Sequence, residues 1–144
     1  MSAKDIFHNT VKVALEKDGW KITHDPLFFK LSEQIRIKID MGAQKLISAE
    51  KDEQKIAVEV KSFIGVSAIS EFHTDVGQFL NYKVALEQKD SDRVLYLAIA
   101  KDIYQEFFID YFIQSVLERY EIKLLVFHVQ KQEIVLWKNK IIRN

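Results

Sequence analysis

Ile56-Ala57-Val58-Glu59-Val60-Lys61 is the stretch on which the fold turns: an apolar strand that carries a carboxylate and an ammonium two positions apart. Residues i and i+2 of a strand project from the same face, so Glu59 and Lys61 point together into whatever that face lines. Burying two charges in a hydrophobic strand is costly unless they satisfy each other or hold a metal or substrate. The Glu-x-Lys pattern by itself is common. With each residue near ~6% of average composition, about half a chance match is expected at this length, and the chain contains four. Glu53-Gln54-Lys55, Glu87-Gln88-Lys89 and Glu121-Ile122-Lys123 are expected in polar turns or at element ends, as solvated pairs that contribute at most roughly 1 kcal/mol. Glu59 and Lys61 remain as the pair expected inside a strand.

Outward from this strand, Ile35-Arg36-Ile37-Lys38-Ile39-Asp40 alternates with period two and predicts an earlier strand closed by Asp40, with Lys45 to Ala49 as a hairpin partner. Asp5 to Lys17 carries apolar positions at helical spacing and stops at Asp18-Gly19; Trp20 to Thr23 predicts a short strand before a turn at His24-Asp25-Pro26. Downstream, Ile69, Phe72, Val76, Phe79, Leu80 and Val84 recur every three or four residues from Ser67 to Leu86. Glu71, Asp75, Gln78 and Tyr82 follow the same spacing on another face, which predicts a long amphipathic helix. Val94 to Ala100 is a continuous apolar run, as in a strand covered on both sides; a helix from about Asp102 to Arg119 and strands near Ile122 to Val129 and Ile134 to Trp137 complete the chain. The order α-β-β-β-β-α-β-α-β-β predicts an α/β (α+β) fold with a mixed sheet flanked by helices.

The 144 residues contain one Pro, four Gly and no repeat or linker, so one domain over residues 1–144 is expected, and 48% hydrophobic residues supply a core. Twenty-one basic against twenty-one acidic residues leave no global field for nucleic acid or an anionic membrane, so any such binding needs a local patch. The absence of cysteine excludes disulfides and thiolate metal sites and fits a reducing interior. Met1-Ser2-Ala3-Lys4-Asp5 has no apolar leader segment and no run is long enough to span a bilayer. A soluble cytoplasmic protein is the expectation.

Chemically, Asp40 and Glu59 on neighbouring strands would bring two hard oxygen ligands to one point, and the Val60 carbonyl a third, leaving water to complete the octahedron that Mg²⁺ or Mn²⁺ prefers. Lys61 beside that ion would position or deprotonate the attacking water, or offset charge on a pentavalent phosphorane. The alternative is an ion pair of Glu59 with Lys61 or Arg36 and no metal.

Asp40 after an alternating strand, Glu59-Val60-Lys61 in the next buried strand, and then a helix bearing Gln78 and Tyr82 four residues apart resemble the PD-(D/E)xK nuclease superfamily, with its restriction-endonuclease-like fold. Within it, the chain from Ala3-Lys4-Asp5-Ile6-Phe7-His8 through Lys17-Asp18-Gly19-Trp20 and His24-Asp25-Pro26 to Val58-Glu59-Val60-Lys61-Ser62-Phe63 and Gly77-Gln78-Phe79-Leu80-Asn81-Tyr82 resembles the cyanobacterial XisH proteins. These are excision controlling factors of the fdxN element, a DNA segment removed by site-specific recombination during heterocyst differentiation. The resemblance implies a metal-dependent nuclease scaffold acting in DNA excision with a recombinase and a companion XisI-type protein. It assigns Asp40 and Glu59 as metal-binding acids, Lys61 as the catalytic lysine and Gln78 as the polar helix residue lining the site, with Tyr82 as an extension.

The chain departs from the superfamily pattern in two places: Ile39 stands where Pro often precedes the first acid, and the first helix offers Asp5, His8 and Asn9 where a Glu is frequent. His8 is the candidate there, against the ordinary reading of a structural histidine. Tyr104, Phe107, Phe108, Tyr111, Phe112 and Tyr120 crowd the second long helix. That is more aromatic surface than one stripe buries, and it allows an interface with a second copy or a partner. Three functions follow: a Mg²⁺-dependent endonuclease, a non-enzymatic excision factor that keeps the fold as a DNA- or protein-binding platform, and an unrelated α/β binding protein with structural strand charges.

Overall fold

In the computed structural model, which describes residues 6–46 and 53–138, helix α1 (His8–Lys17) leads into β1 (Lys21–His24), β2 (Leu27–Lys30), β3 (Arg36–Ile39), β4 (Met41–Leu46) and β5 (Glu53–Val60). Helix α2 (Ala68–Lys89), β6 (Arg93–Ala100), a short helix α3 (Lys101–Ile103), a π-helical turn over Tyr104–Phe108, α4 (Tyr111–Arg119), β7 (Leu124–His128) and β8 (Glu133–Lys138) follow. Six strands form one mixed sheet in the order β1-β4-β5-β6-β7-β8, with β5, β6 and β7 parallel and the outer pairings antiparallel; β2 and β3 form a separate two-stranded ribbon. The mixed sheet flanked by helices is the architecture that the sequence predicts.

Local chemistry sets the boundaries. α1 ends where Gly19 takes φ +92°, a conformation that strains any residue with a Cβ. α2 begins at Ser67, whose hydroxyl accepts a hydrogen bond from the Ser70 N–H, and buries Phe72, Phe79 and Leu86 one every seventh residue. Strand alternation sorts β5 cleanly: Ile56, Val58 and Val60 join α1 residues Val11 and Leu15, Trp20 and Tyr96 on one side of the sheet. Ala57 faces the other side, with Phe72 and Phe79 of α2.

The structure corrects several sequence expectations. The strand before β5 is Met41–Leu46, not Lys45 to Ala49, whose last three residues lie outside the described residues. It pairs with β1 and β5, while the alternating run before Asp40 pairs with β2, a strand the sequence reading lacks. The Leu27-Phe28-Phe29-Lys30 segment is too short to declare its period, and only its register with β3 makes it a strand. Among the described residues, five strands therefore precede α2 rather than four. The helix expected from Asp102 to Arg119 is interrupted at Ile109 and Asp110, because Asp110 leaves helical geometry to cap α4 through the Phe112 N–H. Its aromatic residues divide accordingly: Phe108 is fully buried against Phe63 and Phe72, while Tyr111 and Phe112 are exposed. Glu53 and Lys55 also belong to β5, whereas Lys61 lies one residue beyond its end, so Glu59 and Lys61 are not the one pair placed in a strand.

Among the described residues, no helix is long and apolar enough to cross a membrane.

Candidate active site

Asp40 sits at the bend between β3 and β4, next to the carboxyl end of β5. Two hydrogen bonds cross there: the Asp40 N–H donates to Glu59 Oε1 at 3.0 Å, and the Val60 N–H donates to Asp40 Oδ2 at 2.7 Å. Each carboxylate is thus fixed by the other residue's strand. In an extended strand a residue's N–H and C=O point to the same side, so the Val60 carbonyl faces the side on which Asp40 lies. The site lies at the carboxyl ends of the parallel strands, where open α/β sheets place ligands.

Alternation carries Glu59 and Lys61 to the α2 side of the sheet. Lys61 Nζ stands 3.5 Å from Glu59 Oε2 and 3.6 Å from Asp75 Oδ1, and Asp75, on α2, is buried. Burial and the neighbouring Asp40 charge push the Glu59 carboxyl up to about 8, and Lys61 only partly offsets them. One turn further along α2, Gln78 engages the Tyr82 hydroxyl while its Oε1 is buried without a hydrogen-bond partner. Burial and the charges of Glu59 and Asp40 push the Tyr82 phenol up to about 12. Arg36, the other cation considered for Glu59, is exposed on β3 and directs its guanidinium to the Glu33 carbonyl.

The first helix contributes His8. Its Nε2 lies 2.8 Å from Asp25 Oδ1, and since a carboxylate only accepts, Nε2 carries the proton of that bond. Nδ1 is buried without a hydrogen-bond partner and faces Asp40 Oδ1 at 3.9 Å. Asn9 is exposed, and Asp5 lies outside the described residues. The fold therefore brings together Asp40, Glu59, Lys61, Gln78, Tyr82 and His8.

Two members were not assigned from the sequence. Asp75 shares the helix face of Gln78 and Tyr82, a spacing visible in the sequence, but nothing local distinguishes it from Glu71 on the same face. Asp25 shows in the sequence only as part of the turn His24-Asp25-Pro26, because the partner that gives it a role is seventeen residues away in the chain. A surface hollow lined by Tyr111, Ser115, Glu118, Arg119 and Glu121 shares no residue with the site.

Among the described residues, no group of three or more His, Cys, Asp or Glu side chains is spaced to hold a metal ion. The donor set at this point is two facing carboxylates and a backbone carbonyl.

A crystal structure of an XisH family protein from Nostoc punctiforme superposes with a TM-score of 0.84 at 44% identity, covering 94% of this chain and 100% of the other. The crystal structure of an fdxN element excision controlling factor protein from Anabaena variabilis gives 0.83 at 44% identity with the same coverage. Among curated proteins, none matches. Residues 1–135 match the XisH protein family, and with structural agreement over 94% of the chain at 44% identity the chain belongs to the XisH family.

Proposed function

We propose that the chain is an excision controlling factor of the PD-(D/E)xK nuclease type, hydrolysing DNA phosphodiesters with Mg²⁺ or Mn²⁺ during site-specific excision. The observation that carries this reading is the facing Asp40 and Glu59 pair beside Lys61, with burial and mutual charge holding Glu59 at about 8. Two carboxylates forced together in a half-buried site are relieved by a divalent cation, and Mg²⁺ binds through one or two carboxylates while keeping several waters. Asp40, Glu59 and the Val60 carbonyl fit that habit.

The ion, when bound, supplies Lewis acidity toward the phosphate and lowers the pKa of water. The protein's own groups do the rest. Lys61, held between Glu59 and Asp75, places a positive charge where the phosphorane gathers negative charge, and its position suits a hydrogen bond to the attacking water. Water oxygen bonds to phosphorus and gives up a proton to solvent, one ester P–O bond breaks, and the leaving oxygen takes up a proton from solvent. Asp25 orients His8 so that Nδ1 faces Asp40. A recombinase and an XisI-type companion are the partners expected in excision.

A second reading, a non-catalytic regulatory subunit binding DNA or protein, is favoured by one feature: two carboxylates already engage Lys61, as in a purely structural network. Cleavage of linear, nicked, branched and single-stranded DNAs with Mg²⁺ or Mn²⁺ separates the two. Cutting by the wild type that Lys61→Ala abolishes supports the enzyme, and the preferred DNA names its step. No cutting by either protein, together with equal Mn²⁺ binding by wild type and Glu59→Gln, overturns it.

A further inference from the structure

The β2–β3 ribbon is an insertion between β1 and β4, which pair directly in the main sheet. Its register places Leu27 opposite Ile39, Phe28 opposite Lys38, Phe29 opposite Ile37 and Lys30 opposite Arg36. Leu27, Phe29, Ile37 and Ile39 face the core that contains Phe72 and Phe79. Alternation then sends Phe28, Lys30, Arg36 and Lys38 to the opposite face, and all four are exposed. That face holds three cations and one aromatic ring. Glu33 in the turn pairs with Lys30 at 3.2 Å, and Asp40 follows Lys38 by two residues.

The chain as a whole is neutral, so this concentration is a separation of charge. Residues 102–121 carry Asp102, Glu106, Asp110, Glu118 and Glu121 against Arg119 alone, whereas residues 27–39 carry Lys30, Arg36 and Lys38 against Glu33. Arg36 and Lys38 precede Asp40 at intervals of two, and β3 ends one residue before that carboxylate. Arg36 and Lys38 therefore lie four and two residues before Asp40 in the chain.

We infer that the outward face of the β2–β3 ribbon is a nucleic-acid-binding arm, with Arg36, Lys38 and Lys30 on the phosphodiester backbone and Phe28 against a sugar or base. It rests on the reading of the chain as a DNA-acting protein. A two-stranded ribbon has the dimensions to enter a major groove, and an exposed ring beside cations also suits an unpaired strand. Phosphodiester is the shared chemistry, and duplex and single-stranded probes tell the two sources apart.

The test is fluorescence anisotropy of random-sequence duplex and single-stranded oligonucleotides in EDTA across a salt series. For Arg36→Gln/Lys38→Gln, duplex affinity should fall roughly 50-fold at 0.1 M salt, and the log–log salt slope should flatten by about 1.8. Phe28→Ala should weaken the preferred probe about tenfold with the slope unchanged. Thermal melting should show all variants folded, since the replaced side chains lie on the exposed face. Wild-type affinity and slope in the double variant would overturn the arm, as would no DNA binding by wild type at low salt. Competition by polyglutamate as effective as by DNA of equal charge would also overturn it, in favour of an acidic polypeptide partner. Metal-dependent cleavage persisting alongside any of these results would leave the catalytic reading standing and remove only the arm.

Discussion

The two ends of β5 carry the same Glu-x-Lys pattern and fold into opposite kinds of charge cluster. At the start of the strand, Lys55 pairs with Asp90 at 2.8 Å. Buried Arg93 donates to Asp90 at 2.9 Å and to the Ile56 carbonyl at 2.9 Å. Gly42 makes room for the guanidinium, since a Cβ there would lie 2.9 Å from Arg93 Nη1. Burial pushes the Asp90 carboxyl upward, but hydrogen bonds from Lys55 and Arg93 outweigh it and hold the group below its usual range. At the other end Glu59 and Asp75 flank Lys61 at 3.5 and 3.6 Å, and burial with the neighbouring Asp40 charge pushes Glu59 up to about 8. Burial of charge alone does not mark a functional site, because both ends bury it. The two ends differ in balance: the Asp90 carboxyl is held below its usual range, whereas the Glu59 carboxyl is pushed above it.

The largest expected effect breaks the comparison at the two lysines. Lys61→Ala should lower DNA cleavage by roughly 10²- to 10⁴-fold, while Lys55→Ala should leave the rate per folded molecule within about twofold and reduce only stability. Single-turnover cleavage with matched thermal melts checks both; equal losses would erase the distinction. Next in size, Arg93→Met should destabilise the fold by about 2 kcal/mol, because it takes the donor from the Ile56 carbonyl and leaves Asp90 with Lys55 as its cation. Urea unfolding measures this, and Mn²⁺ affinity of the folded variant should be unchanged. Glu59→Gln should raise metal-free stability by roughly 1 kcal/mol or more near pH 8, since the neutral amide needs no counter-charge.

The pH dependence sharpens the same contrast. A carboxyl raised on folding contributes stability that is complete below its ordinary value of 4.5 and is lost as pH rises through about 8. In chelator, wild type should therefore lose stability relative to Glu59→Gln between those limits. Asp90, depressed on folding, contributes stability present above its ordinary 3.8 that is lost on acidification through its folded value. Asp90→Asn should accordingly matter at neutral pH and cease to matter in strong acid. Melting curves of the two variants across pH should run in opposite directions, and parallel curves would show that the two ends of β5 are electrostatically alike.

The fold was largely legible because its long elements declare their periods: α2 through Phe72, Phe79 and Leu86, β6 through its unbroken apolar run, α1 through its glycine stop. The β2–β3 ribbon was half legible, since β3 alternates while β2 gains its identity from register. The break before α4 was hidden because Asp110 within an aromatic-rich helical pattern reads as one polar position until its capping bond is seen. At the candidate site, Asp40, Glu59, Lys61, Gln78 and Tyr82 carry motif spacing. Asp75 and Asp25 do not, because each acts on a residue distant in sequence.

By itself the sequence determined the mixed α/β character, membership of the XisH family and the acid, acid, lysine set, for these are properties of periodicity and residue order. Only the tertiary structure decided which Glu-x-Lys is neutralised and which is strained. It also placed Asp75 against Lys61 and gathered the cations of the ribbon onto one face. Desolvation and Coulomb interactions depend on distance in space and on burial, and neither is written into the spacing of residues along a chain.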